Sequence, residues 1–144
     1  MVTPDRLLLW VVLASAGIGA QASGPGSGAC PTPDAVSPIH LYGLWQATVE
    51  EQKEVLLLEL VRHPEWQGSL SGRLQRPSGW VQVSGDIEDG ELTLEESGDG
   101  RTVTGLWHGS AVDGSCGKEI RGTWNAAQDR RLLGFTLRKR AGWD

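Results

Sequence analysis

Much of this chain alternates between apolar or glycine positions and polar ones. In WQGSLSGRLQ, Trp66, Gly68, Leu70, Gly72 and Leu74 fall on one side, and Gln67, Ser69, Ser71, Arg73 and Gln75 on the other. Successive side chains of a strand point to opposite faces, so a period of two predicts a half-buried strand. The same rule groups Val103, Gly105, Trp107, Gly109 and Ala111; then Ile120, Gly122 and Trp124; then Leu133, Phe135 and Leu137. Asp89-Gly90, Asp99-Gly100 and Asp113-Gly114 lie between such runs. Asp-Gly tolerates the positive φ angles that tight hairpins need. Together these signals predict eight strands at about 42–50, 53–62, 66–75, 79–87, 90–96, 101–112, 117–125 and 132–139. KEVLLLELVR also fits a short helix, but its strand neighbours and small gaps favour a strand.

Tight turns make neighbouring strands antiparallel, so the order is a meander. Eight strands with one apolar and one polar face are best accommodated by closure, which removes exposed edges. The predicted fold is all-β: an eight-stranded antiparallel up-and-down barrel.

A local motif recurs within this framework: Gly43-Leu44-Trp45, Gly105-Leu106-Trp107 and Gly122-Thr123-Trp124. Glycine and indole share a face in each, and a bare glycine leaves room for a large ring. Three inward indoles would fill much of a narrow barrel, or else stack an apolar ligand at its mouth. Trp45, Trp107 and Trp124 are therefore the candidate ligand-binding residues. Over residues 41–139 the chain resembles the calycin group of barrels, the avidins and lipocalins, whose first strand commonly opens with Gly-x-Trp. The resemblance implies a meander barrel with a ligand cavity at one end. It does not carry biotin binding, because QATVEEQKEVLLL lacks the Asn and Ser expected near the first strand. Further lipocalin motifs are not found.

The start of the chain reads differently. Leu7 to Ala20 is an uncharged apolar run of 14 residues after Arg6, and Ala20-Gln21-Ala22 suits a signal peptidase. The run is short for a membrane helix, so residues 1–22 are expected to be a cleaved export signal rather than an anchor. A Gly- and Pro-rich tail covers 23–40, expected to be a tether held only at Cys30, and the barrel domain covers 41–144. In an oxidising compartment Cys30 and Cys116, the only cysteines, are expected to pair. Lipidation of Cys30 is the minor alternative. The expected location is periplasmic or extracellular, with no membrane span after cleavage.

The remaining residues narrow the chemistry. A net charge of −5 argues against nucleic acid. His40, His63 and His108 lack partners at metal-ligand spacing, so no metal site and no cofactor are expected. Gly114-Ser115-Cys116-Gly117 has one residue too few for a nucleophile elbow. The acidic stretch Asp86 to Asp99 is expected to be a solvated hairpin, with a weak cation site or partner surface as the alternative. Lys118 to Arg140, with seven bases and two acids, is expected to be charged outer faces. No acid–base pair stands out, which argues against an enzyme. The expectation is an exported non-catalytic barrel that binds a small hydrophobic ligand or a protein partner. The alternatives are an inhibitor of a secreted hydrolase, of protease or lysozyme type, or a purely structural envelope protein. The sequence indicates no oligomeric state.

Overall fold

A computed structural model of the chain describes residues 30–142. The expected export signal at 1–22 lies outside the described residues, as does the tail through residue 29. Eight strands follow in chain order: β1 (Gly43–Val49), β2 (Leu56–Arg62), β3 (Leu70–Arg76), β4 (Gly79–Glu88), β5 (Glu91–Ser97), β6 (Val103–Ala111), β7 (Glu119–Ala126) and β8 (Leu133–Lys139). Each pairs antiparallel with the next, and β8 returns to β1 to close the barrel. This is the architecture the sequence predicts, with strand ends displaced by a few residues.

Alternation explains why each run is a strand. Leu56, Leu58 and Leu60 of the ambiguous leucine run are buried while Leu57 and Glu59 point outward, a period of two that a helix would not produce. The β4–β5 hairpin turns on Asp89 and Gly90, with φ of 50° and 80°. Positive φ at both central residues is the type I′ geometry that matches strand twist.

Two expectations are corrected. Trp66 and Gly68 do not continue the inner face of β3, which begins only at Leu70. Gly68 has φ of 86°, and the Ser69 amide turns back to the Trp66 carbonyl, so the chain leaves extended geometry there. Trp66 consequently stands in solvent, 68% exposed. The tail is also more than a tether. Pro33–Ala35 forms a 3-10 turn and α1 (Pro38–Leu41) a single helical turn, each with Pro in its first positions. Proline is tolerated at a helix start because the N–H it lacks would be unpaired there anyway. Ser37 and His40 form a reciprocal cap on α1.

These turns plug one end of the barrel, where the β2–β3, β4–β5 and β6–β7 connections gather. Val36 and Leu41 are buried in the core. A Cβ on Gly90 would fall 2.2 Å from the Pro33 carbonyl oxygen, so the plug lies directly on the β4–β5 turn. Cys30 is bonded to Cys116 in the β6–β7 connection, and Lys139 Nζ at the end of β8 donates to the His40 carbonyl. The opposite end, with the β1–β2, β3–β4, β5–β6 and β7–β8 connections, is the mouth.

Candidate functional site

The three candidate indoles occupy different levels of the interior. Trp45 lies toward the plug, fully buried, and its Nε1 donates to the Leu41 carbonyl at 2.8 Å. The first Gly-x-Trp indole thus fastens the plug to the barrel wall. Trp107 lies deeper from the mouth and is 1% exposed. Its ring meets Phe135 edge-on at 4.9 Å and Trp124 at 6.3 Å, both favourable aromatic geometries. Trp124, directly across from Trp107 on β7, is only partly buried and faces the mouth. Each buried indole removes on the order of 200 Å² of apolar surface from water, worth about 5 kcal/mol as an upper estimate.

Trp107 and Trp124 converge on a residue that the sequence reading assigned to a solvated acidic hairpin. Glu96, 4% exposed, accepts from Trp107 Nε1 at 2.6 Å and from Trp124 Nε1 at 3.0 Å, both on Oε1. Arg76 of β3 donates through Nη2 to the same oxygen at 2.5 Å and through Nε to Oε2 at 3.2 Å. The Arg76 guanidinium lies 5.0 Å over the Trp124 ring and its Nη1 reaches Gln52 Oε1 at 3.4 Å. A buried charge is costly unless paired and fully hydrogen-bonded, and Glu96 meets both conditions.

Glycine makes this packing fit. A Cβ on Gly105 would come within 2.9 Å of Trp124 Nε1 and 3.0 Å of the Glu96 carboxyl carbon. The second Gly-x-Trp motif therefore makes room for the third motif's indole, on the neighbouring strand. The β5–β6 register shifts between Glu96 and Ser97, a bulge of the kind that re-aims a side chain near a strand end.

The mouth loops are tied together. Arg131 pairs with Glu51, joining the β7–β8 and β1–β2 connections, and Glu50 accepts the Gly134 amide at 3.0 Å. Asp99, in the β5–β6 connection, accepts the amides of Thr102 and Arg101, each at 2.7 Å, and the Ser97 hydroxyl at 3.0 Å. These donors, led by the Thr102 amide, lower its pKa from 3.8 to about 2. Val55 and Leu132 project from the same loops, 59% and 60% exposed.

Each oxygen of Glu96 already accepts from the Arg76 guanidinium, and Oε1 from two indoles as well. Among the described residues no three His, Cys, Asp or Glu side chains converge as a metal ion would need, and no helix is long and apolar enough to cross a membrane. Sequence reasoning missed Arg76 and Glu96, although phase could have found both. Arg76 is in phase with Leu70 and Leu74, and Glu96 with Leu92 and Leu94. In comparisons with known proteins, the chain matches no family model and no curated protein.

Proposed function

We propose that this chain is an exported, non-catalytic binding barrel of calycin-like build that engages a protein partner at its mouth rim. The observation that carries this reading is the pair of apolar side chains Val55 and Leu132, held outward on loops cross-tied by Arg131–Glu51 and by Glu50 to the Gly134 amide. Rigid loops carrying apolar anchors lose little entropy on docking. The disulfide is in keeping with an exported chain. A small hydrophobic ligand inside the barrel is less favoured. Trp45 and Trp107 are buried against protein, and reaching Trp107 past Trp124 would disturb the Arg76–Glu96 pair.

The same rim supports a narrower second reading, an inhibitor of a secreted hydrolase, because loops of this kind can enter an enzyme cleft. Partner capture and probe quenching separate the rim from an interior ligand. The disulfide-intact chain is used as bait for partners, and captured proteins are retested against V55D and L132D. Loss of a partner with either variant supports the rim. Quenching of Trp124 by 1-anilinonaphthalene-8-sulfonate, abolished in W124F, would favour the interior ligand instead.

A further inference from the structure

A second surface lies on the outer wall; it reaches the β5–β6 connection but is not lined by Val55 or Leu132. Outward residues of β2 to β5 form a row in register: Val61 beside Ser71, Ser71 beside Ser84, and Ser84 beside Glu95. Two adjacent serines make a low floor between taller side chains. A trough of about 630 Å³ crosses the strands here, sharing His63, Ser84 and Glu95 with a recess of about 250 Å³ lined by Trp66. From β2 to β5 it spans three strand spacings, about 14 Å.

Its walls are held in place. The Trp66 ring stacks on His63 at 5.5 Å and 20°, while His63 Nδ1 accepts the amides of Glu65 and Trp66. That backing fixes an indole that is otherwise mostly open to solvent. On the other side Arg73 lies 4.3 Å over the Trp80 ring and donates to Glu59. Between the walls are hydroxyls, the Gln82 amide and the Glu95 carboxylate. Charge is nearly balanced, with Glu59, Asp86 and Glu95 against Arg73 and Arg101.

We propose that this trough binds a neutral oligosaccharide. A sugar ring offers an apolar C–H face suited to a fixed indole and a rim of hydroxyls suited to Ser, Gln, Glu and Arg. The other polymers fit less well. An extended peptide gains most from an unpaired strand edge, and the closed barrel leaves none. A nucleic acid needs a basic excess, which the lining lacks. Val55 and Leu132 do not line the trough, so either assignment can fail alone.

The test is calorimetric titration of the disulfide-intact chain with four neutral hexasaccharides: β-1,4-glucan, β-1,4-xylan, α-1,4-glucan and β-1,4-linked N-acetylglucosamine. At least one is expected to bind. Trp66→Ala should weaken it about tenfold or more, equivalent to about 1.4 kcal/mol. Ser84→Tyr, which fills the floor from an exposed position, should abolish binding at an unchanged melting temperature, and V55D should leave it intact. The proposal is overturned if no hexasaccharide binds at millimolar concentration, if Ser84→Tyr binds like the parent, or if binding follows V55D instead.

Discussion

Arg76 and Glu96, on strands separated by β4, meet inside the barrel mouth with the guanidinium donating to both carboxylate oxygens. Neither could remain there alone. Without Arg76 the carboxylate would be left buried beside two indoles, and without Glu96 the Trp107 and Trp124 N–H groups would lose their acceptor.

Replacing one member of the pair should therefore cost far more than an exposed ion pair would. Glu96→Ala is expected to destabilise the fold by about 3–5 kcal/mol, the range for breaking a buried pair. Arg73→Ala, which removes an exposed pair with Glu59, should cost about 1 kcal/mol or less in ion pairing. Urea denaturation of both variants measures the contrast, and equal losses would contradict the account. The double replacement R76M/E96L should recover part of the Glu96→Ala loss, because it leaves no unpaired charge although the two indole N–H groups still lack their acceptor.

Gly105→Ala tests the fit between strands. The added methyl would press on Trp124 Nε1 and the Glu96 carboxyl group. Overpacking of this kind costs about 1–3 kcal/mol. The tryptophan emission should shift to longer wavelength as Trp124 is pushed outward. Gly98→Ala, where nothing lies within 4 Å, is the control and should leave emission unchanged.

The disulfide closes a loop with a sequence separation of 86 residues and anchors the plug. The chain-entropy model assigns such a cross-link about 4–5 kcal/mol as an upper value. A C30A/C116A chain should melt at a lower temperature, and its His40 and Trp45 amides should exchange with solvent faster than those of β5 and β6. Uniform acceleration across all strands would mean that the bridge does not act through the plug.

Asp99 has a defined acid signature. Its folded pKa is about 2 against 3.8, so its contribution is complete above about pH 4 and is lost as pH falls toward 2. Asp99→Asn should flatten that part of the stability–pH curve by lowering stability at neutral pH, and should change little near pH 2, where the contribution is already lost. Carboxyl chemical shifts measured across pH 1.5–5 read the midpoint directly, and a midpoint near 3.8 would refute the assignment.

The strands were legible because burial on one face imposes a period of two, and the leucine run at 56–60 resolves on it. Trp66 misled because alternation persists through Gly68, and a positive φ at glycine does not disturb the letters. The glycines and prolines of the tail pointed to a tether, whereas Pro33 and Pro38 each open a helical turn. Glu96 was hidden by its acidic neighbours. Composition assigned the stretch to solvent, while its phase with Leu92 and Leu94 placed it inside. The trough was beyond reach, since Ser71 and Ser84 become neighbours only once the β3–β4 register is known.

The union of β1 with β8 also has a meaning in time. β1 emerges early and β8 last, so one flank of β1 has no companion until Lys139 has been delivered. Until that moment Trp45 lacks half of its enclosure. A product ending before residue 133 would keep two raw borders, each a template for a stranger's strand. Ring closure thus waits on β8, because only its arrival encloses β1 on both flanks.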